Sequence, residues 1–237
     1  MQKYNIVAMI PARKGSERLK LKNLALLKGH PLISYAVRSA KKSEVFTRVV
    51  VNADSKKFEK VCNKYKCEFY LRRPKLGLSN VKSDDVVLDF LKNHKCDILM
   101  WINPIAPLLE ESDILEVLKY FIKKKLNSLI TTQQVNVHGL INSKHNRLKP
   151  INFSYNTKFE KTQNLNPINL MNYCIMMWDS KTFLKSMKKQ NSAILHGKIG
   201  YYNLDPHKSF IIKTKKDLNL VENLLKKNLQ KKIKYFK

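Results

Sequence analysis

Short apolar segments that alternate with amphipathic ones predict an α/β fold, with a mostly parallel central sheet, helices on both of its faces and one inserted arm. Three observations carry this expectation. Segments of strand length, rich in β-branched or bulky residues, recur along the chain; stretches with apolar residues at helical spacing lie between them; and residues 134–170 interrupt the alternation. At 237 residues the chain can bury one sizeable core, so we expect a single domain over 1–237.

Taken in order, "NIVAMI" (5–10) reads as the first strand. Pro31 suits a first helical turn, after which Leu32, Tyr35, Ala36, Ser39 and Ala40 fall on one face. "RVVVNA" (48–53) is the second strand, and Phe58, Val61, Cys62 and Tyr65 repeat the helical spacing. "CDILMWIN" (96–103) is a strand, followed by a helix with Ile114, Val117, Leu118, Phe121 and Ile122 on one face. "SLITTQ" (128–133) and "CIMMW" (174–178) are further strands, and Leu218, Val221, Leu225 and Leu229 form a last helical stripe. Residues 134–170 are rich in Asn, Lys and Pro without a sustained period, which suits an arm that covers a substrate or reaches a second subunit.

The net charge of +28 permits binding to nucleic acid or an anionic membrane by charge alone. Most of the excess is lysine scattered over outer helix faces, whereas a dedicated nucleic-acid site calls for clustered arginine and stacking aromatics. We therefore expect a solvated surface and no specific nucleic-acid partner, with the basic run at 226–237 a helix end. No apolar run reaches spanning length, and the first one is too short for a signal peptide, so we expect no membrane partner and a cytoplasmic location. Cys62, Cys67, Cys96 and Cys174 lack zinc or redox spacing and read as buried thiols; His138 and His145 lack ligand spacing.

In a parallel α/β sheet ligands bind beyond the carboxyl ends of the strands, which puts residues 11–23 in position to meet one. Gly15 allows close backbone approach, Ser16 offers a hydroxyl and an amide, and Arg13 with Lys22 supplies positive charge. A polyphosphate is the natural ligand, and an ordinary basic surface loop is the alternative. Neither the Walker pattern nor the dinucleotide glycine fingerprint is present, which argues against a P-loop NTPase and an NAD enzyme.

"IPARKGSERLKLKN" (10–23) resembles the N-terminal signature of the sugar-activating cytidylyltransferases, above all the acylneuraminate (CMP-sialic acid) synthetases, I-P-A-R-x-G-S-K-x-x-P-x-K-N. "VVVNAD", "LRRPKLGLSN", "WINPIAPL" and "NYCIMMW" resemble later segments of that family in the same order. The resemblance implies a Rossmann-like nucleotide-diphospho-sugar transferase fold. It implies transfer of CMP from CTP to a 2-keto-3-deoxy sugar acid of sialic, legionaminic or pseudaminic type, with release of pyrophosphate, magnesium as cofactor, and a homodimer built around 134–170. By position, Arg13 and Lys22 would be catalytic, and Ser16, Asn23, Asp54, Arg73 and Asn103 would hold the nucleotide. Asp54 also suits the N-cap of the following helix, and Asn103 a turn. Asn172 and Tyr173 would meet the sugar, with Lys161 or Arg147 replacing a family arginine at Leu170.

The family's Asp-x-Asp for magnesium appears here as Ile211 and Lys213, and other departures are Glu17, Lys20 and Leu109. Asp205, Asp217 or Asp54 would then help hold magnesium, with Lys213 supplying charge, although Asp217 with Thr214 also reads as a helix cap. A catalytically weakened relative that binds nucleotide or sugar as a regulatory or assembly subunit is the alternative.

Overall fold

The computed structural model describes residues 4–143 and 147–225; the tail stripe at Leu229, the basic run at 226–237 and His145 lie outside the described residues. The strands are β1 (Ile6–Ala12), β2 (Leu26–Leu27), β3 (His30–Pro31), β4 (Arg48–Ala53), β5 (Glu68–Leu71), β6 (Ile98–Ile102), β7 (Ser128–Val135), β8 (Leu140–Asn142), β9 (Leu148–Pro150), β10 (Ile168–Asp179) and β11 (Ile199–Asn203). The helices are α1 (Ile33–Lys42), α2 (Glu59–Tyr65), α3 (Ser83–Asn93), α4 (Glu111–Lys123), α5 (Ser180–Gln190) and α6 (Lys215–Leu224). Seven strands form one sheet in the order β11-β7-β10-β6-β1-β4-β5. Every neighbouring pair is parallel except those made by β10, which runs against both β6 and β7.

The alternation within β1 shows how the two faces are filled. Ile6, Ala8, Ile10 and Ala12 face a core shared with Ile33 and Val37 of α1, Val61 of α2, and Ile114, Val117 and Leu118 of α4. Val7 and Met9 face the opposite core, with Val87 and Phe90 of α3 and Phe183 and Met187 of α5. Both faces of β1 are dry, which explains why its sequence is continuously apolar rather than alternating.

Several helix starts are set by short side chains. Asp179 accepts from the Thr182 amide at 2.8 Å to start α5, and reciprocal capping boxes, Glu110 with Asp113 and Thr214 with Asp217, start α4 and α6. Pro31 does not open a helix. Lys28 and Gly29 both have positive φ (50° and 76°), which turns 26–31 into a tight hairpin and leaves Pro31 paired with Leu26. Helix α1 begins two residues later and buries Ile33, Ala36, Val37 and Ala40.

A third, smaller core joins Leu27 and Leu32, beside that hairpin, to Ile212 and Val221 at α6. It docks α6 against the segment that follows β1. The irregular arm leaves the sheet at the end of β7 and returns at the start of β10, so residues 134–135 and 168–170 are sheet rather than arm. Because β10 alone is reversed, the arm's two roots stand on the same edge, the one where β1, β4 and β6 end. Within the arm, β8 and β9 pair and His138 stacks on Phe159 at 3.9 Å between ring centroids. Among the described residues, no helix is long and apolar enough to cross a membrane.

Candidate active site

Beyond the ends of β1 and β6 lies a cleft of about 300 Å³. Residues 11–23 form one wall, the 3-10 turn after β5 and its sequel to Ser83 another, and Asn103 to Ile105 the floor. Arg13, Ser16, Lys22, Asn23 and Asn103 all line it, so five of the residues singled out in the sequence converge here. The loop is tied down by backbone bonds from the Ser16 amide to the Lys14 carbonyl (3.0 Å) and from the Lys22 amide to the Leu19 carbonyl (3.1 Å). Asn23 is buried in a single 3-10 turn. A side chain at Gly15 would meet nothing within 4 Å, so that position stays open to an incoming group.

Three residues that line the cleft each bury one polar atom without a hydrogen-bond partner: Oδ1 of Asn23, Nε of Arg72 and Nε1 of Trp101. Buried polar groups are normally paired, so these three residues are exceptions gathered around one cavity. Four further cations join Arg13 on the lining, namely Arg18, Lys22, Arg72 and Lys213, while Glu17, which is exposed, is the carboxylate there. Burial lowers the proton affinity of Lys22 below the ordinary lysine value; Arg18, Arg13 and Lys213 lower it further, against Asp217, which raises it.

Asp54 is neither a helix cap nor part of the cleft lining. Ser55 caps the following turn, accepting from the Lys57 amide at 3.4 Å, because its extended backbone (φ −151°) aims its hydroxyl at that amide. Asp54 instead accepts the Lys14 amide at 2.8 Å, which latches the basic loop to the end of β4. Arg73 also stands outside the cleft: it is two-thirds exposed and pairs with Asp89 at 3.6 Å. Its neighbour Arg72 is the inward residue, with Nη1 donating to the Asn52 carbonyl (2.5 Å) and to Asn52 Oδ1 (3.2 Å). The signal for Arg72 was present in the sequence as Asn52, a polar residue inside an apolar strand that must find a buried partner. Trp101 gave no such signal.

Asn103 lines the floor and holds a turn at once. Its Oδ1 accepts the Ile105 amide (3.3 Å), and its Nδ2 donates to the Tyr173 carbonyl (3.2 Å). That second bond reaches a bulge in β10, where the register shifts between Met171 and Met176 and Tyr173 takes φ 57°. Asn172 Oδ1 accepts from Thr131 Oγ1 (2.6 Å) and the Cys174 amide (3.1 Å), while its Nδ2 is buried without a partner. Tyr173 is half-exposed, and Lys161 and Arg147 are exposed on the arm; none of these lines the cleft.

Magnesium, which the resemblance implies, calls for hard oxygen donors. Asp217 Oδ2 serves the α6 cap, where it accepts the Lys213 and Thr214 amides (2.8 and 2.7 Å). Those bonds hold its carboxyl below the usual range although burial alone would raise it. Asp205 sits in a turn that accepts the His207 amide at 2.8 Å, and Ile211 offers no donor. Among the described residues no group of three His, Cys, Asp or Glu side chains could hold a metal ion. Neither Asp205 nor Asp217 lines the cleft, and one carboxylate oxygen of each accepts a backbone amide.

The family model described as cytidylyltransferase matches residues 7–232. The chain is 27% identical over 235 residues to the post-translational flagellin modification protein B of Campylobacter coli, covering 96% of this chain and 98% of that protein. It is 25% identical over 185 residues to the N-acylneuraminate cytidylyltransferase of Streptococcus agalactiae serotype III, covering 76% of this chain but 44% of that protein, so it spans less than half the length of that relative. With the CMP-N,N'-diacetyllegionaminic acid synthase of Legionella pneumophila it shares 28% identity over 191 residues, 76% of this chain and 81% of that one. The solved structure of a CMP:2-keto-3-deoxy-manno-octonic acid synthetase complexed with CTP superposes with a TM-score of 0.67 at 15% identity, over 93% of this chain and 98% of that one, a likeness of fold.

Proposed function

The chain belongs to the cytidylyltransferase family, and on that premise we propose that it transfers CMP from CTP to a 2-keto-3-deoxy sugar acid of the nonulosonic type, releasing pyrophosphate. The observation that carries this reading is the cleft itself, with five cations and three unpaired buried polar atoms gathered beyond β1. The sugar's anomeric hydroxyl attacks the α-phosphorus, a new P–O bond forms, the α–β bridge breaks, and the hydroxyl proton leaves to solvent or to pyrophosphate. Negative charge grows on the phosphoryl oxygens and on the leaving pyrophosphate, where Arg13 and Lys22 stabilise it. Removing one such group costs on the order of 3 kcal/mol of activation free energy.

The sugar acid enters on the side of the Tyr173 bulge, which Asn103 ties to the cleft floor. The arm, whose roots stand on that edge, exposes Val137, Leu140, Ile141, Leu148, Ile151 and Phe159, and a second copy of the chain covers them in a homodimer. Pyrophosphate release with CTP, magnesium and a panel of keto-deoxy sugar acids tests the reaction; no turnover with any of them would sink it. Light scattering tests the dimer, and a monomer at micromolar concentration would refute it. The lack of a carboxylate pair in the cleft favours a second reading, a nucleotide-binding subunit with weakened catalysis. Thermal stabilisation by CTP without turnover would select that reading.

A further inference from the structure

Cys62 and Cys67 have the spacing of neither a zinc site nor a redox motif, yet the end of α2 brings them together. Lys66 takes φ 53°, which turns the chain back on the helix: the Cys67 amide donates to the Cys62 carbonyl (3.1 Å) and the Lys66 amide to the Asn63 carbonyl (3.4 Å). In a helix ending of this type the side chains of the two residues joined by the outer bond commonly pack together, and here both are thiols. The same bond draws their α-carbons close, as a disulfide requires. Cys62 is fully buried in the core beneath α2, and Cys67 is half-buried at its rim.

That rim is open to solvent. Cys67 lines a surface hollow of about 310 Å³ with Ala40, Lys41, Phe46 and Lys66. Lys41 is fixed there, its Nζ donating to the carbonyls of Tyr65 and Lys66 (3.2 and 2.9 Å). The bond between the two thiols raises the proton affinity of Cys62, which burial raises further, and lowers that of Cys67; Lys41 also lowers Cys67, against burial and Glu68. An accessible, more acidic sulfur thus stands directly in front of a buried, protonated one.

We propose that Cys62 and Cys67 form a reversible disulfide when the protein meets a peroxide, with Cys67 attacked first and Cys62 closing the bond. The Cys67 thiolate attacks one peroxide oxygen: an S–O bond forms, the O–O bond breaks, the sulfur is oxidised to a sulfenic acid, and the released hydroxide takes a proton and leaves as water. The Cys62 sulfur then attacks the Cys67 sulfur; the S–S bond forms, the S–O bond breaks, and the oxygen leaves with the Cys62 proton as a second water. Strand β5 is the outermost of the sheet and pairs with β4 alone, so the link fastens that edge to α2. It stands at the start of β5, away from the cleft beyond the strand ends and across the sheet from the arm's roots on β7 and β10.

The test treats the whole protein with hydrogen peroxide, alkylates the remaining thiols in denaturant and maps the tryptic peptides. Cleavage after Lys64, Lys66 and Arg72 puts Cys62 in peptide 61–64 and Cys67 in peptide 67–72, so the disulfide appears as one species joining the two, which dithiothreitol splits. Cys96 and Cys174, whose thiols burial holds protonated, should remain alkylated. Peptides 61–64 and 67–72 recovered only singly, or Cys67 joined to a different cysteine, would overturn the inference. Cys62→Ser keeps a hydrogen-bond donor beside Cys67 but cannot close the bond, so Cys67 should be recovered there as its sulfenic or sulfinic acid. Cys67 recovered as an unmodified thiol in that variant overturns the assigned order of the two sulfurs.

Discussion

Replacing Gly77 by alanine should unseat the basic loop without touching it. Gly77 has an ordinary φ, so its role is close approach: an added Cβ would lie 2.0 Å from Asp54 Oδ2, 2.7 Å from its Cγ and 2.8 Å from its Cβ. A rotamer change clears the first two contacts but not the third, so the end of β4 must shift and the bond to the Lys14 amide must break. A hydrogen bond to a charged group is worth about 1.5–3 kcal/mol, and overpacking costs about 1–3 kcal/mol. These costs overlap, because moving Asp54 relieves the clash, so we expect Gly77→Ala to destabilise by about 2–3 kcal/mol. Asp54→Gly removes every clashing atom; in that background Gly77→Ala should cost less than about 0.5 kcal/mol, a coupling that a double-mutant cycle measures directly. Urea denaturation followed by circular dichroism gives the stabilities, and CTP titration reports the loop. An equal cost of Gly77→Ala in both backgrounds would refute the latch.

Lys22→Met should abolish measurable CTP binding while stabilising the empty protein by a few tenths to about 1 kcal/mol after solvent screening. The sign follows from Lys22 having a lowered proton affinity in the fold: its charged form is penalised at neutral pH, and stability rises as pH climbs from the lowered value towards that of an unfolded lysine. That rise should vanish in Lys22→Met, and its persistence would show that another group is responsible. Arg72→Met strands the Asn52 acceptors and should destabilise by about 2–4 kcal/mol, whereas Arg73→Met, at an exposed pair, should stay within about 1 kcal/mol. Thermal unfolding of the two variants in parallel checks this, and the opposite ranking would put the inward arginine at 73. Tyr173→Gly relieves a left-handed backbone at a half-exposed residue and should stabilise by about 0.5–1 kcal/mol, and a lower melting temperature would mean its ring packs usefully.

The strands of the central sheet were legible because their apolar runs are buried on both faces, as in β1 and β6. The edge strands were not: β5 has four residues with both ends exposed, and β11 is interleaved with glycine and polar positions. Helices α3 and α5 begin with polar first turns and carry fewer apolar residues, so their periodicity is weak until tertiary packing selects Val87, Phe90, Phe183 and Met187. In the site, residue type and position left the loop after β1 open between a polyphosphate site and a basic surface loop, and the family resemblance chose between them. Choosing between Arg72 and Arg73 required knowing which side of β5 faces Asn52, which depends on register and not on composition. Asp and Glu near a helix start satisfy backbone amides first, and Asp217 does so twice, which is the cap that Thr214 three residues earlier suggested in the sequence.

The lone reversed strand has a consequence for how this chain could be re-engineered. Since β7 and β10 pair with each other along most of their length, the sheet does not depend on the covalent link between their outer ends. The arm is therefore a cassette: cutting it with a protease should leave the two flanking strands zipped together, and an arm of different length can be grafted between Val135 and Ile168 without altering the spacing of the strands beneath the cleft.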